Sequence, residues 1–193
     1  PDQNNWPNLT ARMVKIDMGF QAPKVSASID KSPFRTACGA SLTSVAAQGG
    51  LVELDLKSPC QPNSRVEVQH GKMRLTLKSD HVGNLNVEIP AFEENARFQV
   101  TLTDGTEMLA FAHVPEMAYF DRVAILWKND FSVELHALEF GAVQASKGDI
   151  WQGHPSSFDL SQRYGGGFVT RLGDATLNRA NMVEVYTLPI SDD

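Results

Sequence analysis

The sequence has few features of a membrane-spanning or nucleic-acid-binding protein. Among its 193 residues no apolar run approaches the length of about 18 residues that a transmembrane helix requires. Its 17 Lys and Arg residues are outnumbered by 23 Asp and Glu residues, so the formal net charge at pH 7 is -6. A phosphate backbone attracts the opposite sign of charge. These two absences exclude a helical membrane span within the chain and generic nucleic-acid binding.

Motifs for catalysis and metal binding are also scarce. The chain has no G-x-S-x-G pentapeptide, the nucleophile turn of many hydrolases, and no D-x-D-x-D-G calcium loop. Its two cysteines cannot by themselves form a four-ligand zinc site. We therefore expect no cofactor and no metal. A dispersed calcium site at Asp80, Asn84 and Asp104 is the alternative left open.

The two cysteines, Cys38 and Cys60, lie beside turn-forming residues rather than inside apolar runs. We expect a disulfide between them, which would add about 3 kcal/mol to the free energy of unfolding in the chain-entropy model. Two separate thiols are the alternative. Because disulfides persist in oxidising environments, this bond predicts a periplasmic or extracellular location.

The chain begins with a polar segment rich in Asn and Pro. Such a segment is typical of the mature end left when a signal peptide or membrane anchor has been removed, and a trimmed chain is the alternative. Residues 1–50 carry five basic and three acidic groups. This mildly basic balance is compatible with proximity to an anionic membrane surface.

From about residue 51 onward, short segments alternate between apolar and polar residues, which is typical of strands that cover a core with one face. The fold class predicted is all-β: an antiparallel β-sandwich with Greek-key-like connections, built as one extended unit or as two packed β-units. Residues 36–48 are the only stretch whose spacing admits a short helix, and Gly39 weakens it. The expected strands are 52–56, 65–69, 73–77, 84–89, 97–102, 122–127, 133–140, 167–172 and 183–188.

We divide the chain into three segments. Residues 1–50 form an N-terminal arm that bears the first cysteine, residues 51–114 form a β-sandwich, and residues 115–193 form a β-rich extension packed on it. A split into two separate sandwiches near Pro115 is the alternative, and the lack of a Pro/Ser-rich linker there argues against it.

The strand order over residues 51 to about 112 resembles the carboxypeptidase regulatory-like, or transthyretin-like, β-sandwich modules. In those modules a strand leads to a T-x-T-D-x-x-G turn, a strand ending in Pro, and another strand. Here the turn is widened to residues 79–83, and Pro59 and Cys60 replace the usual opening glycine strand. The resemblance implies a seven-stranded accessory or interaction module and does not imply catalysis. The iron-binding relatives use an H-x-H pair, which this sequence lacks. The matching segments are 65–68, 75–80, 83–91 and 98–102.

Between Gly141 and Gly166 the alternation lapses, and we interpret this stretch as a long functional or linking loop. Aromatic faces stack on sugar C–H surfaces or on partner side chains, while Gln, His and Arg orient the ligand. The alternative is that two of the rings, Trp151 and Tyr164, close the open end of the sandwich. The triple glycine at 165–167 is expected to permit close backbone approach or a positive φ. The candidate ligand- or partner-binding residues are Trp151, Gln152, His154, Arg163 and Tyr164.

Two further residues carry expectations of their own. Trp127 ends an apolar strand and is expected in the core. His136, between Leu135 and Ala137, is expected at an outward or edge position with a satisfied polar contact rather than as a metal ligand.

Together these features predict a secreted or periplasmic, non-catalytic binding or interaction module of a cell-envelope or extracellular assembly. Its partner would be a protein or a glycan and not nucleic acid, and an exposed sheet edge could accept a strand from a protein partner. The alternative is a carbohydrate-active or other hydrolytic enzyme with carboxylates beside the loop around residue 150.

Overall fold

A computed structural model describes residues 38–190. Antiparallel strands dominate this part of the chain, and they are joined by two 3-10 turns, Gln48–Gly50 and Pro115–Tyr119, and a short α-helix, α1 (Phe158–Tyr164). The strands are β1 (Ser41–Ala47), β2 (Leu51–Lys57), β3 (Arg65–His70), β4 (Met73–Lys78), β5 (Asn84–Pro90), β6 (Asn95–Leu102), β7 (Glu107–His113), β8 (Phe120–Lys128), β9 (Ala137–Leu138), β10 (Asp149–Ile150), β11 (Phe168–Leu172) and β12 (Asn181–Pro189).

The described strands form three larger sheets and one two-residue pair, β10-β9. The first sheet has the order β1-β2-β5, the second β4-β3-β6-β7 and the third β11-β12-β8. The chain passes from the first sheet to the second after β2, returns after β4, and crosses again after β5. Such crossing connections are Greek-key-like. The predicted all-β antiparallel sandwich is confirmed.

The alternation of apolar residues determines which face of each strand is buried. In β2 the buried residues are Val52, Leu54 and Leu56, and their neighbours are exposed or half-buried. The same apolar cluster includes residues of the third sheet, among them Val183 and Val185. One core therefore joins all three sheets, and the described residues belong to one compact unit rather than to two sandwiches divided near Pro115.

The N-terminal part of this unit differs from the sequence expectation. No α-helix forms over the described part of residues 36–48; β1 pairs with β2 along its whole length instead, from Ser41 opposite Lys57 to Ala47 opposite Leu51. Small and β-branched side chains fit this ladder, which pairs the backbone groups on the side of β1 that faces β2. A division at residue 50 would cut the β1–β2 hairpin, so residues from Ser41 onward belong to the sandwich rather than to an arm. The expectations for residues 1–37 lie outside the described residues.

The second half also departs from the alternation pattern. The strand expected over 133–140 is reduced to β9, and the loop expected between Gly141 and Gly166 contains β10 and α1. The hydroxyl of Ser157 caps α1 by accepting a hydrogen bond from the N–H of Leu160 at 3.3 Å. A helix of seven residues is too short to show a clear helical period.

Trp127 does not lie in the core as expected. Its side chain is half-buried on β8, and the guanidinium of Arg171 lies over its ring at 5.1 Å from the centroid. A cation over the ring face is favourable where the indole is partly solvated.

The disulfide between Cys38 and Cys60 is present, with 5.3 Å between the two Cα atoms. It joins the residues before β1 to the loop between β2 and β3. The predicted bond is confirmed, and it is consistent with an oxidising compartment.

Arg122 on β8 connects the third sheet to the first. Its guanidinium donates hydrogen bonds to the carbonyl oxygens of Gly49 at 2.6 Å, Gly50 at 3.0 Å and Ala91, and its Nε donates to Oγ1 of Thr187 at 3.1 Å. It forms no ion pair with a carboxylate among residues 38–190. Burial lowers the pKa of Arg122 to about 10, so the side chain stays charged at neutral pH.

Replacing Arg122 with Met should lower the free energy of unfolding by about 2 to 4 kcal/mol, because the buried carbonyl groups of Gly49 and Ala91 lose the donor that Arg122 supplies and that of Gly50 keeps only the N–H of Ala91. Urea denaturation followed by circular dichroism measures this change. The matched control is Arg97→Ala on the exposed face of β6, which should stay within about 0.5 kcal/mol of the wild type. Equal stability of the two variants would contradict the proposed role of Arg122.

Replacing both cysteines with Ser should lower the free energy of unfolding by about 3 kcal/mol, since the unfolded chain regains the freedom that the crosslink removes. The wild-type protein in excess reductant should reach the same stability. Alkylation of the native protein without reductant, read by mass spectrometry, provides the direct check. Two alkylated thiols in that sample would show that the bond does not form.

Candidate functional site: an aromatic groove

A groove with a volume of about 770 Å³ opens where α1, the end of β12 and the 3-10 turn before β8 meet. We call it the aromatic groove, because five of its lining side chains carry aromatic rings. Its lining residues are Glu116, Tyr119, Phe120, Phe140, Phe158, Ser161, Gln162, Tyr164, Gly165, Gly166, Pro189 and Ile190.

Three of the five rings are open to solvent. The exposed fraction is 55% for Tyr119, 83% for Phe140 and 77% for Tyr164. Phe120 and Phe158 lie deeper and meet edge-to-face, with 6.1 Å between their ring centroids. Exposed apolar residues that cluster in this way, unlike scattered ones, mark interaction surfaces.

Glu139 positions one wall of the groove. Its Oε1 accepts hydrogen bonds from the N–H of Gly167 at 2.6 Å and from the hydroxyl of Tyr186 at 2.5 Å. Burial, together with this carboxylate, raises the pKa of Tyr186 well above its usual range. The next residue, Phe140, has a φ of 52°, which bulky side chains rarely adopt. Anchoring Glu139 therefore holds the ring of Phe140 at the groove.

The glycines at 165–167 have the role expected of them. Gly165 and Gly166 have φ values of 75° and 79°. A Cβ at Gly166 would collide with the carboxylate of Glu139, and one at Gly167 with the ring of Tyr186. A side chain at either position would displace the groups that support the groove.

A second cluster, of titratable groups, surrounds His136. Its Nδ1 lies 2.7 Å from Oδ1 of Asp149, its Nε2 lies 3.6 Å from Oε2 of Glu134, and its ring stacks on Trp151 with 5.1 Å between centroids. The hydrogen bond to Asp149 raises the pKa of His136. Burial opposes ionisation of Asp149, but hydrogen bonds from the N–H of Ala145 and from His136 outweigh it and lower the pKa of Asp149.

Glu184 on β12 lies close to this cluster and is fully buried. Its Oε2 accepts a hydrogen bond from the N–H of Leu135 at 3.3 Å, and burial raises the pKa of its carboxyl group. Nε2 of His136 and Oε1 of Glu184 are closed off from solvent and have no hydrogen-bond partner among the described residues. The hydrogen bonds of the cluster position the segment between β8 and α1.

The five candidate residues from the sequence fall in different places. Tyr164 lines the aromatic groove, whereas Trp151 and His154 line a separate hollow beside Asp149. Gln152 and Arg163 are exposed and line neither. Trp151 is half-buried because one face of its ring lies on His136, and Tyr164 is too exposed to close the end of the sandwich.

Sequence reasoning missed most of the groove. Tyr119 lies outside every predicted strand, and Phe140 ends the predicted strand 133–140 directly before Gly141; these positions are the signals that could have identified the two rings. His136 does have the polar contact expected of it, at the base of the segment that carries Phe140.

The residues considered for calcium act as turn caps. Oδ1 of Asp80 accepts hydrogen bonds from the N–H groups of Val82 and Asn84, and Oδ1 of Asp104 accepts one from Thr106. Within residues 38–190, no group of three or more His, Cys, Asp or Glu residues is arranged to hold a metal ion.

No described helix is both long and apolar enough to cross a membrane.

The ion pair of His136 and Asp149 predicts a pH-dependent stability. Because the pKa of His136 is raised in the folded state, its contribution to stability is fully present below the ordinary value of 6.5 and is lost as the pH rises through the folded-state pKa. Because the pKa of Asp149 is lowered, its contribution is present above the ordinary value of 3.8 and is lost as the pH falls through the folded-state pKa. The stability difference between the wild type and His136→Gln should therefore be largest between these two values. Urea denaturation at a series of pH values measures it, with the exposed His113→Gln as control. A difference that is equal at pH 5 and pH 9 would contradict this assignment.

Comparison with known proteins identifies no family. No protein-family model matches the chain, and no curated protein matches it. A solved structure that it matches is that of XAC1771, described as a novel carbohydrate acetylesterase from Xanthomonas citri, with 19% sequence identity over 39% of this chain and 19% of that chain and a TM-score of 0.30. A match at this TM-score carries no argument about fold or function. The resemblance to transthyretin-like modules thus stays a prediction.

Proposed function

We propose that this chain is a non-catalytic binding module of a periplasmic or extracellular assembly and that the aromatic groove is its recognition surface. The observation that supports the proposal is the convergence of three exposed rings, those of Tyr119, Phe140 and Tyr164, around one cavity. Such rings lose unfavourable contact with water when a partner covers them, and they give binding sites their largest contact area. The disulfide agrees with the proposed compartment.

The carboxylates near the 150s loop favour binding over hydrolysis. Hydrolysis by a carboxylate pair needs two groups that face each other across an open cleft. Asp149 is instead buried and occupied by His136 and by the N–H of Ala145. Oε1 of Glu139 accepts hydrogen bonds from Gly167 and Tyr186, and Glu116 is the single carboxylate among the residues that line the groove.

Retention on the insoluble envelope or matrix fraction of the producing cells tests this proposal. Tyr164→Ala should weaken the affinity for this fraction by roughly 5- to 30-fold. The bound share of the protein at a given concentration should therefore fall. Because Tyr164 is 77% exposed, its removal should leave the thermal unfolding midpoint close to that of the wild type.

The matched control is Phe131→Ala, which removes a ring that is 68% exposed and does not line the groove. It should bind as the wild type does. Equal retention of Tyr164→Ala and wild type would show that the groove is not the recognition surface.

A further inference from the structure

The aromatic groove presents polar groups beside its exposed rings. Four exposed side chains of the lining have polar heads: the carboxylate of Glu116, the hydroxyls of Tyr119 and Tyr164, and the amide of Gln162. A fifth polar side chain, that of Ser161, is buried and donates its hydroxyl to the carbonyl of Gly166. All four residues are exposed, and none of these heads forms a hydrogen bond or ion pair with another described residue. The groove thus offers open donors and acceptors next to apolar faces.

The net charge of the lining narrows the class of ligand further. Glu116 is the only charged residue among those that line the groove, and no Lys or Arg does so. An anionic ligand would meet a like charge without a compensating cation, which is unfavourable. A purely apolar segment would cover the four polar heads without replacing their hydrogen bonds to water, and that also opposes binding.

We infer that the aromatic groove binds a neutral carbohydrate chain, an inference that rests on the function proposed above. Sugar rings have apolar C–H faces that stack on aromatic side chains, and their hydroxyls both donate and accept hydrogen bonds. The hydroxyls would donate to Glu116 and exchange hydrogen bonds with Gln162, while Tyr164 and Phe140 supply the stacking faces. The volume of about 770 Å³ falls within the range of about 300–1,000 Å³ that is common for small-ligand sites.

A cation such as a quaternary ammonium is the competing ligand, because aromatic rings beside a carboxylate also attract such groups. That ligand would use the rings and Glu116 but would leave the amide of Gln162 without a partner. The roles of Gln162 and of the tyrosine hydroxyls therefore separate the two ligands.

Native affinity electrophoresis tests the inference with defined probes. The gels contain dextran, mannan, xyloglucan or mixed-linkage β-glucan as neutral polymers, and polygalacturonate as an anionic polymer; choline chloride is titrated separately by calorimetry. We expect a neutral polymer to retard the wild type and Phe131→Ala equally. Tyr164→Ala should weaken that binding by at least about tenfold, and Gln162→Ala by about threefold or more.

The outcomes distinguish this inference from the proposed function. If no neutral polymer retards the protein while retention on the envelope fraction still depends on Tyr164, the carbohydrate assignment is wrong and the binding function remains. Binding of choline or polygalacturonate alone would also overturn it. If retention does not depend on Tyr164 either, both proposals fail. Unchanged thermal unfolding of Tyr164→Ala and Gln162→Ala confirms that any loss arises from the groove.

Discussion

The position of the groove depends on one guanidinium group, that of Arg122. The carbonyl oxygens of Gly49, Gly50 and Ala91 converge on it, and without it those of Gly49 and Ala91 would be buried without the donor that it supplies. Phe120, two residues before Arg122, has its ring 5.5 Å from the guanidinium carbon, and Phe158 packs over Gly49. The same contact that joins the first and third sheets therefore also supports the two deeper rings of the groove.

Two carboxylates, those of Glu139 and Asp149, hold the segment that carries one of the exposed rings, Phe140. Glu139 binds Gly167 and Tyr186 and thereby fixes the residue that follows it, Phe140, in an unfavourable backbone conformation. Asp149 and His136 pair at the base of the same segment. Local strain is maintained where the surrounding contacts over-determine the conformation, and such sites are frequently functional. A pre-formed wall also reduces the entropy that a ligand must lose on binding.

Part of the site could be predicted from the sequence. Tyr164 was identified because it lies in a stretch without core alternation, and it does line the groove. Trp151 was chosen on the same grounds, yet its ring stacks on His136. Composition can show that a ring lies outside a strand, but whether its face is open depends on which side chain packs against it. The other two exposed rings of the groove, Tyr119 and Phe140, lie outside residues 141–166, the stretch that lacks core alternation.

The sequence by itself determined the local elements: alternation specified most strands, and two cysteines beside turns specified the disulfide. These signals suffice because the period of two and the turn residues act between near neighbours. Only the tertiary structure decided that residues of the 3-10 turn before β8, of α1 and of the end of β12 enclose one groove together with Phe140. Their convergence comes from long-range contacts, above all those of Arg122 and Glu139, and no pattern along the chain encodes which distant carbonyl or amide such a side chain will bind.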